Sequence, residues 1–271
     1  MNFDPFLPIQ KMSYGTIPKR PYYDDLRIHA EMLNDRERMA PFDEAIRRVV
    51  ENKVVLDIGA GTLILSMLAI RHGATRVYSV ESSQYLVNLG RKIAESNHMQ
   101  DKITVIQGDS TKIDLPEKCD VLVSELIGHF GLEEDIVPTF ADARKRLLKE
   151  NGIVIPNLIS LYLVPVEIPE FERELIARLY HSDAYLGFSY HVPLFEDVCY
   201  NSSYLINHPE EVDLQQRALS NPKTLASFDL TLEDKQNFSN DLEFTMRRDA
   251  LLTGFAGWFE SRLLEDIVIS T

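Results

Sequence analysis

The order of apolar runs predicts an α/β chain: a parallel sheet wound with helices up to about residue 156, then a β-rich second domain from 157 to 271. Three observations predict it. Short continuous apolar runs recur through the first half, at VVLDIG (54–59), RVYSVE (76–81), ITVIQGD (103–109), DVLVSEL (120–126) and GIVIPN (152–157). Strands apolar on both faces belong in a sheet covered on both sides. Segments with helical spacing separate them, and after Pro156 the apolar residues begin to alternate with polar ones, as in antiparallel strands.

Residues 1–21 mix Pro, Lys and aromatic residues without periodicity and read as an extended arm. In 24–40, Leu26, His29, Met32 and Leu33 fall near helical spacing, with Asp24 or Asp25 as cap. Pro41 is placed to open a second helix, PFDEAIRRVVEN. Further helices are expected at 63–73, closed by Gly73, at 84–97 and at 136–150. Beyond the boundary, LISLYLVPVE (158–167) reads as a strand and FERELIARLY (171–180) as a helix. LASFDLTL, DLEFTMRR and DALLTGFAGWFESRLL read as antiparallel strands.

The formal net charge of −14 disfavours nucleic acid as a partner and suits a basic one. No apolar stretch reaches the ~18–20 residues that span a bilayer, so no membrane association is expected. The opening MNFDPFLPIQK lacks the basic-then-apolar pattern of a secretory signal. Cys119 and Cys199 are the two cysteines, too few for a disulfide framework, which fits a cytoplasmic setting. The seven histidines are scattered, and no metal site is expected.

Three motifs carry chemistry. In VVLDIGAGT (54–62), a strand runs through Asp57 into a turn where Gly59 and Gly61 let the backbone approach a nucleotide closely. Glu81 ends the next strand, where a carboxylate can accept both ribose hydroxyls. A dinucleotide fingerprint would want a small residue at Ile64, so an adenosine cofactor such as S-adenosylmethionine suits the turn better than a nicotinamide one. In IQGDSTKIDLP (106–116), Asp109, Ser110 and Thr111 are candidates for the adenine amino edge, and a plain turn is an equal reading. In SELIGHFGLEED (124–135), four carboxylates surround Gly128 and Gly131 at the carboxyl edge of the sheet. Glu125 and Glu134 are too far apart in sequence for one helical face, so the loop must reverse to join them. Converging, they suit a guanidinium; apart, Glu133, Glu134 and Asp135 merely favour the start of the next helix.

With these residues in view, the chain from about 22 to 271 resembles the protein arginine N-methyltransferase family. HAEMLNDRER (29–38) resembles its N-terminal helix, VLDIGAGT and VESS (80–83) its cofactor motifs, SELIGHFGLEE its double-glutamate loop, and GFAGWFESRL (254–263) its early barrel region. The resemblance implies a Rossmann-like class I methyltransferase domain over 22–156. It also implies a β-barrel-like domain over 157–271 with a helical dimerisation arm at about 171–186, and a homodimer. Arg38 would hold the cofactor's methionine carboxylate, Gly59 and Gly61 would line it, and Glu81 would take the ribose. Glu125 and Glu134 would be catalytic, gripping the guanidinium of an arginine in a protein or peptide, with His29 and Met32 in the substrate pocket.

The chain also departs from the family pattern. Leu63 stands where a third glycine is usual, and its side chain is expected to crowd the methionine end of the cofactor. Thr111 replaces an acid often found near adenine. The sequence ends at DIVIST, before the family's His-Trp loop and last barrel strands. Met32 resembles the asymmetric-dimethylating branch, whereas Leu126 and GFAGWFE resemble the symmetric one. Two rival readings follow: an enzyme of free arginine or another small guanidino compound, and a catalytically silent S-adenosylmethionine-binding scaffold.

Overall fold

The computed structural model describes residues 24–168, 213–235 and 237–270. The extended arm predicted for 1–21 and the helical arm predicted near 171–186 lie outside the described residues.

Two sheets organise the chain. Strands β1 (Val54–Ile58), β2 (Arg76–Glu81), β3 (Ile103–Gln107), β4 (Cys119–Val123) and β5 (Leu148–Ile155) form a parallel sheet in the order β3-β2-β1-β4-β5. Helices α3 (Ile64–Arg71), α4 (Gln84–Ser96) and α5 (Ile136–Arg146) connect them, preceded by α1 (Leu26–Asn34) and α2 (Arg36–Val49). Val55, Leu56, Asp57 and Ile58 are all buried, as a central strand covered on both faces requires.

The second sheet is antiparallel. It contains β6 (Leu158–Val166), β7 (Lys223–Asp229), β8 (Gly254–Leu264) and β9 (Ile267–Ser270) in the order β7-β6-β8-β9, with a short helix α6 (Leu214–Arg217). Along β8, Phe259, Ser261 and Leu263 are buried while their neighbours are partly exposed, which is the period of two expected of such a sheet. The two sheets share one apolar core in which Ile159, Leu161, Phe228 and Phe259 join the strands of the first sheet. No helix among the described residues is long and apolar enough to cross a membrane.

Several expectations need correction, among them the helix expected over 136–150, which ends at Arg146 before β5 starts at Leu148. The helix predicted for 24–40 breaks at Asp35, whose backbone N–H closes α1 on Glu31 and Met32 while its side chain accepts the Arg38 N–H and starts α2. Pro41 therefore lies inside α2 rather than at its start, at the cost of one helical hydrogen bond. Asp25 is the cap of α1; Asp24 instead accepts from the Ser83 hydroxyl, which caps α4. The alternating stretch DLEFTMRR pairs with no strand among the described residues. It is held by single contacts, such as the Arg247 N–H on the Leu219 carbonyl and Arg248 on Glu167 at 2.6 Å. Alternation without a ladder partner does not make a strand.

Candidate active site

In the strand order 3-2-1-4-5 the direction in which strands are added reverses between the parallel β1 and β4, and ligands of open α/β sheets bind beyond the carboxyl ends of that pair. The glycine turn leaves β1 there and the acidic loop leaves β4. Ser124, fully buried, fastens the two together by donating to the Ile58 carbonyl at 2.6 Å. The turn has positive φ at Gly59 (71°) and Gly61 (51°). Side chains there are excluded twice over, since a Cβ on Gly59 would lie 2.8 Å from Leu126 and one on Gly61 2.9 Å from His29.

Leu63 also adopts a left-handed conformation, with φ 66°, which costs a leucine about 1–2 kcal/mol. Its side chain is fully buried against Gly90 of α4, where a Cβ would lie 3.2 Å from the leucine Cγ. The isobutyl group turns into the core and does not line the cleft. The backbone keeps a glycine-like path, and Gly90 supplies the space.

The cleft over this turn is lined by His29 and Met32 from α1, Arg38 from α2, Asp57, Gly59, Gly61 and Glu125. Asp57 is fully buried; its Oδ2 accepts from Ser66 at 2.6 Å, and Ser66 in turn meets Ser79 at 2.6 Å. Among the described residues its Oδ1 has no partner. Burial pushes the Asp57 carboxyl up to about 7 against the pull of Ser66, and the nearby Glu81 charge adds to the rise. Glu81 spans the turn, accepting from the Gly61 N–H at 3.0 Å and the Ser83 N–H at 2.8 Å. A carboxylate has about four acceptor positions, so capacity remains for ribose hydroxyls.

Glu125 has a side chain only 12% exposed and accepts from Arg38 at 3.0 Å. Burial raises its carboxyl to about 7; Arg38 pulls it down, and the charge of Glu134 pushes it up. The Glu134 charge is thus felt at Glu125, while Glu125 alone of the two lines the cleft. Arg38, expected to meet the methionine carboxylate, is bonded to Glu125 here; one of its five donors makes that bond.

Asp109, Ser110 and Thr111 lie outside the cleft lining. Asp109 accepts from the Thr111 N–H and hydroxyl at 3.0 and 2.7 Å and pairs with Lys112 at 2.7 Å. Lys112 first, then Thr111, lower its carboxyl to about 2. The Ser110 carbonyl accepts from Arg146 at 2.7 Å. These bonds close the turn on itself. The sequence reading missed the Ser66–Ser79 support of Asp57, for which no local signal exists, and the bonds of Glu133 within the acidic loop. Among the described residues, no group of three or more His, Cys, Asp and Glu is arranged to hold a metal.

A doubly wound sheet with a glycine turn, an acid closing β2 and a buried carboxylate at the switch point defines a nucleoside-cofactor enzyme of the methyltransferase type. A family model for ribosomal protein L11 methyltransferase (PrmA) matches residues 42–159. Over 257 residues the chain is 34% identical to protein arginine N-methyltransferase 1 of Schizosaccharomyces pombe, covering 91% of this chain and 72% of that protein. It is 33% identical over 250 residues to protein arginine N-methyltransferase 6 of Xenopus laevis, covering 88% and 70%. The chain belongs to the protein arginine N-methyltransferase family. Among solved structures, the Trypanosoma brucei PRMT1 enzyme–prozyme heterotetrameric complex with AdoHcy superposes with a TM-score of 0.76 at 26% identity, covering 93% of this chain and 78% of that one. Arabidopsis thaliana protein arginine methyltransferase 10, at 24% identity, shares the fold with a TM-score of 0.68, covering 92% and 78%.

Proposed function

We propose that this chain transfers a methyl group from S-adenosylmethionine to arginine side chains of proteins or peptides, and that Glu125 and Glu134 hold the guanidinium. The observation that carries the reading is the buried Glu125 carboxyl at the switch point, within the field of Glu134 and bonded to a guanidinium already, that of Arg38. A pocket that accepts one guanidinium in this way has the charge and shape to accept a second.

The residues of the cleft fit the cofactor. The glycine turn brings bare backbone to its floor, and the orphaned Asp57 Oδ1 lies ready to accept from a cationic amino group. Arg38 lines the same cleft for a carboxylate, and Glu81, bonded to the Gly61 N–H behind the turn, is the proposed ribose acceptor. When bound, S-adenosylmethionine supplies an electrophilic methyl group on a sulfonium.

The protein must then make a poor nucleophile react. A guanidinium is protonated throughout the physiological range. Glu125 and Glu134 draw its positive charge towards the side they bond, which leaves the opposite terminal nitrogen richer in electron density. The same carboxylates offset the repulsion between two adjacent cations. Holding nitrogen and methyl in line supplies a large part of the rate, since orientation can contribute roughly 7–11 kcal/mol. Of the two glutamates, Glu134 is the proposed proton acceptor, directly or through water, because Glu125 is already committed to Arg38.

The test is incubation with methyl-labelled S-adenosylmethionine and either an arginine-rich peptide or free arginine, followed by mass spectrometry. Methylated peptide with little methylated free arginine supports the reading. Label on free arginine alone overturns the macromolecular substrate, and label on neither overturns the activity.

A further inference from the structure

Glu133 is an acid of the loop for which the proposed chemistry has no use. It is exposed, yet its carboxylate turns back onto its own loop. Oε1 accepts from the Phe130 N–H at 2.7 Å and Oε2 from the Leu132 N–H at 3.1 Å. The carboxylate lies across Gly128, where any Cβ would overlap it, and the Gly128 carbonyl accepts from the Gly131 N–H at 3.1 Å. Four backbone groups of a five-residue turn are thus tied together, two of them by one side chain.

The far side of the turn rests on the second sheet. A Cβ on Gly131, whose φ is 91°, would come within 3.1–3.3 Å of Leu161, Ile159 and Phe259. The Phe130 ring fills a notch in β8 at Gly257, where a Cβ would lie 2.8 Å from the ring. The second sheet fixes the back of the loop, and Glu133 fixes its front.

We infer that Glu133 is a positioning residue: by bonding the Phe130 and Leu132 N–H groups over Gly128, it closes the reversal that delivers its neighbour Glu134 to Glu125. The inference rests on the guanidinium-binding reading for its functional meaning, but the closure itself can be measured without catalysis. Arg38 and Glu134 are the charges acting on Glu125, and only Glu134 rides on the part of the loop that Glu133 ties. Releasing the tie lets Glu134 retreat and water reach Glu125, while Arg38 on α2 stays in place.

The experiment is a carboxyl 13C NMR titration of Glu125 in wild type, Glu133→Ala and Glu133→Gln, with the signal assigned by its loss in Glu125→Gln. Glu125 should titrate near 7 in wild type and move well towards the ordinary 4.5 in Glu133→Ala. Glu133→Gln keeps the shape and one acceptor, so it should fall between. Calorimetry with S-adenosylmethionine should give the same Kd for all three within about twofold, because Glu133 does not line the cleft. For an arginine peptide, kcat/KM in Glu133→Ala should drop tenfold or more with the cofactor KM unchanged. An unaltered Glu125 titration in both Glu133 variants overturns the inference. Absence of transfer by wild type overturns the proposed activity instead, and the titration still decides the role of Glu133.

Discussion

Replacing Glu125 by Gln should reveal a pH-dependent cost that the folded protein bears without ligand. The carboxyl has an ordinary value of 4.5 in the unfolded chain and about 7 in the fold, where burial dominates over the pull of Arg38. Between these values the folded state holds a proton that the unfolded state has released. Stability from this group is therefore fully present below about 4.5 and is lost as pH rises towards 7. Each unit of difference is worth 1.36 kcal/mol, so from pH 5 to pH 8 wild type should lose about 2–3 kcal/mol relative to Glu125→Gln. Other titrating groups, Asp57 included, cancel in the comparison. Urea unfolding of both proteins at pH 5, 6, 7 and 8 gives the difference directly. A difference that stays constant, or that changes in favour of wild type as pH rises, would refute the claim that Glu125 is held out of water. The same carboxyl must ionise to grip a guanidinium, so kcat/KM should climb through about pH 7 in wild type.

Three further outcomes follow from the site. Glu81→Ala removes the acceptor of the Gly61 and Ser83 N–H groups and should weaken S-adenosylmethionine binding at least tenfold by calorimetry, with the peptide KM little changed. Gly90→Ala places a methyl 3.2–3.4 Å from the Leu63 side chain in a full core and should destabilise the fold by about 1–3 kcal/mol in urea titration. Asp109→Ala breaks an exposed turn outside the cleft, so its effect on cofactor Kd should stay within about threefold; a larger loss would restore Asp109 to the adenine site.

What could be read in advance was what is locally encoded. The parallel strands and the glycine turn follow from short apolar runs and two glycines, and they appear close to where the sequence places them, except that β5 begins four residues early, at Leu148. The break at Asp35 was legible too, since an Asp three residues before Arg38 is an ordinary cap signal, but Pro41 drew the boundary away from it. Leu63 was not legible: whether its side chain meets ligand or core depends on Gly90, on another helix. DLEFTMRR has the period of a strand, and only the absence of a partner ladder decides against it. The pairing of Glu125 and Glu134 was expected from family resemblance rather than spacing, because contacts such as Glu133 on the Phe130 N–H and Phe130 against Gly257 of a distant strand carry no local signal.

Calorimetric titration of an arginine peptide into the protein saturated with S-adenosylhomocysteine, at pH 8, probes the guanidinium site with no chemistry in the way. Taking away one partner of a buried ion pair costs about 3–5 kcal/mol, so Glu125→Gln and Glu134→Gln should each weaken the peptide by roughly a hundredfold or more. Peptide affinity equal to wild type in both variants would contradict the account.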